Sequence, residues 1–313
     1  MTANDIKFRC SSLGYLMSDA LGKSNMELWL KARDNYRIAR KKWLSNTKPD
    51  SKSAKNDEEK YKKYFDECRS LDKIKYDVKL GDVCKTHLVD TWISAKHGRR
   101  EEKSNKFLEK GNECEESSIT LLSRVNKKFY KKNEIRLEND FITGLPDIYT
   151  GETIYNADEI TDTKSSWSAH TFFRAVHSKL NSDYDWQLQG YMWLTGAKKA
   201  WLAYCLVNGT YSEIMNEKER LKWQIKSIDF ENDPEYIRKC KQIELNHIFD
   251  LKDFQKHNPG FDFHNDVSNW NYDIPFNERV HLIEIKRDDS KIKAIEKRVV
   301  DARKWMSINL KWD

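Results

Sequence analysis

Residues 144–164 read GLPDIYTGETIYNADEITDTK. Short alternating runs are broken here by Gly144, Pro146 and Gly151, which predicts antiparallel strands over 135–143, 146–150 and 153–164. Side chains two apart in a strand share a face, so Asp162 and Lys164 present a carboxylate and an ammonium side by side. Pro146 fixes φ and Gly144 allows a close approach, which places Asp147 at a strand start. Pairing across the turn at Gly151 then brings Asp147 next to Asp162. Two carboxylates in one place repel unless a cation sits between them. Mg²⁺ suits such a pair, since it takes oxygen ligands and keeps several waters.

Alone, the Asp162-Thr163-Lys164 triplet carries little. Asp50-Ser51-Lys52 and Glu284-Ile285-Lys286 have the same form. The upstream Asp147 turn is what singles it out. Further upstream, 101–128 is predicted as one helix with Leu108, Ile119, Leu122 and Val125 on one face. Glu115 stands midway between Leu108 and Leu122 and shares their stripe. A carboxylate there needs a partner, either a buried salt bridge or a metal shared with Asp147 and Asp162. Glu113 and Glu116 fall off the stripe and read as solvated. Downstream, Gln187 and Tyr191 are four apart on a helix predicted over 183–195. An amide can position a water or a phosphate, and a tyrosine can stack or hydrogen-bond; ordinary helix packing is the plain alternative.

The remaining chain predicts a strand or turn and then a helix start over 6–17, with Ser11 and Ser12 as N-cap candidates. Helices are expected over 26–44, 57–71, 82–97, 168–178, 233–249 and 288–307, and strands over 200–207 and 280–286. The charged stretch 45–63 reads as an exposed linker or flexible insertion. This order indicates an α/β core with a helical N-terminal part. It divides the chain into a helical region over 1–100, a core over 101–210 and a C-terminal α/β extension of the same domain over 211–313.

With 34% charged residues, 38% hydrophobic residues and only five prolines, the composition is that of a helix-rich, water-soluble chain. A net charge of +6 permits nucleic-acid binding without demanding it. Basic residues crowd 37–63, 96–110 and 126–132, and a solvated helix face is the plain reading of each cluster. The six cysteines form no CxxC pair, so neither disulfides nor structural zinc are expected, and a reducing cytosol fits best. His257 and His264 read as surface residues. No signal peptide is visible and no apolar run approaches a membrane span, so a cytoplasmic protein with no membrane partner is expected.

Taken together, Gly111 to Glu115 (G-x-x-x-E), Gly144 to Asp147 (G-x-P-D), Asp162 to Lys164 (D-x-K) and Gln187 to Tyr191 (Q-x-x-x-Y) resemble, in that order, the PD-(D/E)xK nucleases. The likeness is to the RecB-like and YqaJ-type viral recombinase branch, which includes the lambda-type exonucleases. It spans 105–207, and FRCSSLGYLM (8–17) is similar to the start of phage members. The resemblance implies a restriction-endonuclease-like core, a central mixed sheet flanked by helices. It implies a metal-dependent DNA nuclease using Mg²⁺, with Mn²⁺ as substitute, and a 5′-to-3′ duplex exonuclease of phage recombination or DNA processing, placed in the host cytoplasm if viral. Asp147, Asp162 and the Thr163 carbonyl would bind the metal, with Glu115 completing the site. Lys164 would position and activate water, Gln187 would organise the centre, and Tyr191 would pack or contact DNA. Arg9, Ser11 and Ser12 would bind a 5′ phosphate. Partners implied are duplex DNA ends, with a single-strand annealing protein and self-association as further candidates. Only Cys240 lies beyond 205, so the Fe–S cluster of some members is not expected. The rival readings are a non-catalytic DNA-binding or scaffolding protein of the same fold and a structure-specific or restriction-type endonuclease.

Overall fold

The structure is a computed structural model and describes all residues except 1, 20–23, 49, 76–79, 102–105, 226–228 and 313, with backbone alone at 106–108. By compactness the chain divides into two units, one of residues 1–6, 15–100 and 294–313, the other of 7–14 and 101–293.

The chain opens with β1 (Phe8–Arg9), a 3-10 turn over Cys10–Ser12 and α1 (Leu13–Leu16). Ser12 Oγ donates to the Arg9 carbonyl at 3.0 Å, so it closes a turn and caps no helix. Next come α2 (Asn25–Leu44), α3 (Lys52–Asp72) and α4 (Asp82–His97). Ser24 and Glu27 form a reciprocal capping box at the start of α2. The segment 45–63, read as a linker, is helical from Lys52 onward. Its low apolar content concealed this, because α3 packs on α2 through aromatic rings, with Trp43 stacked on Tyr61 at 4.8 Å and Tyr36 at 5.7 Å from Phe65. Ser51 starts α3 by accepting from the Ala54 amide.

In the second unit the helix expected over 101–128 is two helices, α5 (Lys106–Glu113) and α6 (Glu115–Asn126). They part at Cys114, whose ψ of 5° leaves the helical range. Gly111 and Asn112, poor helix formers, precede the break. Four short strands follow: β2 (Leu137–Glu138), β3 (Ile142–Gly144), β4 (Ile148–Thr150) and β5 (Glu159–Ser165). The strand expected over 135–143 is thus interrupted at Asn139, whose side-chain oxygen accepts from the amides of Phe141 and Ile142 and holds a turn. The strand expected from 153 begins only at Glu159, because a 3-10 turn over Ile154–Asn156 buries Ile154 first.

Helices α7 (Ala169–Val176) and α8 (Ser182–Thr195) lead to β6 (Lys199–Cys205). Then come α9 (Tyr211–Gln224), α10 (Pro234–His247), α11 (Leu251–His257), β7 (Val280–Lys286) and α12 (Asp289–Asn309). Strands run in the order β4-β5-β6-β7, with β5 and β6 parallel and the outer pairs antiparallel. A smaller sheet has the order β1-β3-β2. Ile119 and Leu122 of α6 pack with Ile148, Ala203 and Cys205 of the larger sheet. The fold is therefore the expected mixed sheet flanked by helices. Helix α9 was not expected; its buried face mixes Glu213 and Lys218 with Ile214 and Leu221. Lys218 Nζ lies 2.8 Å from Glu244 Oε1 and 3.1 Å from His264 Nδ1, so His264 is half-buried instead of lying on the surface. All six cysteines are free thiols. Among the described residues no helix is long and apolar enough to cross a membrane.

Candidate active site

The site is built where β4, at the edge of the larger sheet, meets β5. The register pairs Ile148 with Thr161, which sets Asp147 opposite Asp162. Asp147 Oδ2 accepts from the Thr163 amide at 2.7 Å and from its hydroxyl at 2.8 Å. Asp162 and Lys164, two apart on β5, share one face, with Lys164 Nζ 2.6 Å from Asp162 Oδ2. Helix α8 covers that face. Gln187 Nε2 donates to Asp162 Oδ1 at 3.1 Å and to the Tyr191 hydroxyl at 3.0 Å.

The electrostatics follow from this crowding. Burial, then the Asp162 charge, push the Asp147 carboxyl up to about 7 against the opposing hydrogen bonds from Thr163, and Glu115 adds to the rise. Burial works against the charge on Lys164, but Asp162 and Asp147 outweigh it and its pKa is raised. Lys164 is therefore a cation at neutral pH. It lies 5.0 Å from the Tyr184 ring centroid, a cation–π contact. Glu115, the first residue of α6, is half-buried and its Oε1 lies 3.3 Å from Lys132 Nζ. Both readings of Glu115 thus have an observation behind them: a salt bridge to Lys132 and an electrostatic reach to Asp147. The Leu108 side chain of the expected stripe lies outside the described residues.

The donors are hard oxygens, which fits Mg²⁺ or Mn²⁺ better than zinc or iron. Asp162 Oδ2 is buried, and among the described residues its partner is the Lys164 ammonium. A second cation there would relieve the repulsion felt by Asp147. Among the described residues, however, no three acidic, histidine or cysteine side chains are set to hold one ion. Asp147 engages Thr163 through Oδ2 and Glu115 faces Lys132 through Oε1.

Tyr191 is only 4% exposed. Of the two expectations for it, packing and DNA contact, this burial favours packing: its hydroxyl accepts from Gln187 inside the protein. The ring presses on the turn before Asp147, where a Cβ on Gly144 would stand 2.7 Å from Tyr191 Cε1 and 2.8 Å from Cys10 Sγ. Cys10 also packs against Gly190 of α8, so the segment carrying Arg9, Ser11 and Ser12 is seated beside the site. Arg9 pairs with Thr143 in the small sheet, one residue before Gly144. Arg9 and Ser11 are exposed and Ser12 is half-buried.

Two residues escaped the sequence reading. Tyr184 lies on α8 three residues before Gln187, so the 184-187-191 spacing was available as a signal. Lys132 sits in a basic run and carries no local mark of its reach to Glu115.

No protein-family model matches the chain. No curated protein matches it. A solved phage-related exonuclease from Haemophilus somnus 129PT shares its fold, with a TM-score of 0.57 and 23% identity over 97% of this chain and 95% of that one. An alkaline exonuclease from Laribacter hongkongensis is looser, with a TM-score of 0.44 and 13% identity over 73% of this chain and 81% of that one.

Proposed function

We propose that the chain is a metal-dependent deoxyribonuclease that digests duplex DNA from 5′ ends. The observation that carries this reading is the meeting of Asp147, Asp162 and Lys164 across β4 and β5, with Gln187 bonded to Asp162. The fold shared with a phage-related exonuclease supports it. Asp147, Asp162 and the Thr163 carbonyl would hold Mg²⁺ or Mn²⁺, with Glu115 completing the set. Such an ion, when bound, polarises the scissile phosphate and acidifies a water. Lys164 enters as an ammonium. It orients the attacking water and offsets the negative charge that grows on the phosphoryl oxygens. Gln187, held by Tyr191, keeps Asp162 from rotating.

The direction rests on the segment beside Gly144. Arg9 can grip a terminal phosphate in a bidentate fork, and the Ser11 and Ser12 hydroxyls can donate to it. End-labelled duplex tests this. Linear DNA should be digested in Mg²⁺ and spared in EDTA, with closed circles resistant and 5′ label released first. Ends bearing a 5′ phosphate should be digested faster than 5′-hydroxyl ends, and Arg9→Ala should erase that preference. Release of 3′ label first, or equal attack on closed circles, would place the protein among 3′-exonucleases or endonucleases.

A further inference from the structure

Helix α6 ends in a run that no step above uses: Lys127-Lys128-Phe129-Tyr130-Lys131-Lys132, four lysines around two aromatic rings. Lys127 has a φ of 51°, in the left-handed region, and turns the chain sharply out of the helix. The turn is then pinned. The Lys128 amide donates to the Ser123 carbonyl at 3.1 Å, the Tyr130 amide to Ser123 Oγ at 3.1 Å, and Asn126 Nδ2 to the Tyr130 hydroxyl at 3.1 Å. With its neighbours fixed, Phe129 is left 87% exposed. Holding a phenyl ring in water on a pinned turn gains nothing for folding.

The far end of the run is tied to the active centre. Lys132 reaches Glu115, the Asn133 amide donates to the Asp147 carbonyl at 2.7 Å, and Asn133 Nδ2 donates to the Pro146 carbonyl at 2.9 Å. Between this run and β4 lies a groove of about 560 Å³, with Lys128, Phe129, Lys131 and Ile135 on one side and Tyr149 and Gly151 on the other. Its strand wall is the direct continuation of Asp147. Glu134 and Asp158 also line it, but the three lysines at 128, 131 and 132 outnumber them.

We infer that this groove is a subsite for unpaired nucleotides of the DNA strand adjoining the scissile bond. The lysines suit the phosphates, and Phe129 supplies a platform for a base. Bases inside a duplex are already stacked on one another, so a projecting phenyl ring selects nucleotides that are not paired. The inference rests on the nuclease reading for its choice of ligand, though not for its geometry.

Fluorescence anisotropy in EDTA tests it without turnover, using the intact chain, a labelled thymidine oligonucleotide and a blunt duplex of the same length. Phe129→Ala should weaken single-strand binding roughly tenfold, the size of one lost base stack, and leave duplex binding within about twofold. Lys131→Ala should weaken both and reduce the salt slope for the single strand by about 0.7. Unchanged single-strand affinity in Phe129→Ala, or no single-strand binding by the wild type, overturns the subsite. If that happens while the wild type digests linear duplex in Mg²⁺, the nuclease reading stands without it. If Phe129→Ala shows the expected loss but the wild type digests nothing, the subsite stands and the nuclease reading falls.

Discussion

Gln187 binds Asp162 and Tyr191 with one amide nitrogen, which makes it the residue that tells positioning from chemistry. Gln187→Ala should lower cleavage on the order of 10–100-fold, the usual cost of freeing a residue behind a metal ligand. Tyr191→Phe should cost less, since the Asp162 bond survives, and its DNA affinity should match wild type. A drop in DNA affinity in Tyr191→Phe would restore the direct contact that its burial argues against. Asp147, Asp162 and Lys164 were legible in the sequence because local geometry alone relates them: a two-residue strand repeat and one turn. The partners Lys132 and Tyr184 were not, because each reaches its target from a different element. The single helix expected through Leu108, Glu115 and Leu122 is broken at Cys114, which leaves Glu115 half-buried at the start of α6.

Elements joined by close backbone approach or by buried charge carry the stability predictions. Gly144→Ala would drive a Cβ to 2.7 Å from the Tyr191 ring and 2.8 Å from Cys10 Sγ. Both neighbours are buried, so relief is costly. Urea unfolding should show a loss of about 1–3 kcal/mol, with cleavage reduced through the displaced Tyr191–Gln187 link; unaltered stability would mean that β3 and α8 can part freely. Helices α9 and α10 are held by Lys218 and Glu244, whose side chains are 2% and 0% exposed. Burial opposes the Glu244 charge, yet Lys218 and the amides of His264 and Asn265 outweigh it and depress its pKa. A depressed carboxyl adds stability that is complete above its ordinary value of 4.5 and disappears as pH falls through the native value. Glu244→Gln should therefore cost about 3–5 kcal/mol at pH 7, with the gap closing as pH falls below 4.5. An equal gap at both pH values would remove the ion pair as its cause. The same buried charges helped to hide α9, since Glu213 and Lys218 interrupt the apolar pattern that Ile214 and Leu221 carry on its inner face. By contrast, α4, α8 and β7 lie within a residue of where the sequence places them.

Across the whole molecule, a net charge of +6 is modest, and the basic runs are local. DNA affinity should therefore fall steeply with salt through a few phosphate contacts, not through a general field. The shared fold with a phage-related exonuclease, at 23% identity, supplies the scaffold but not the chemistry. The proposed chemistry would rest on Lys164, Asp162 and Asp147, and a comparison of wild type with Lys164→Ala on linear duplex DNA, in Mg²⁺ and in EDTA, addresses it most directly. Wild type in Mg²⁺ should release nucleotides. Lys164→Ala should release none, while keeping the wild-type unfolding curve and most of its DNA affinity, and Lys52→Ala and Lys286→Ala should cleave as wild type does. Cleavage by Lys164→Ala at the wild-type rate, or by wild type in EDTA, would contradict the account.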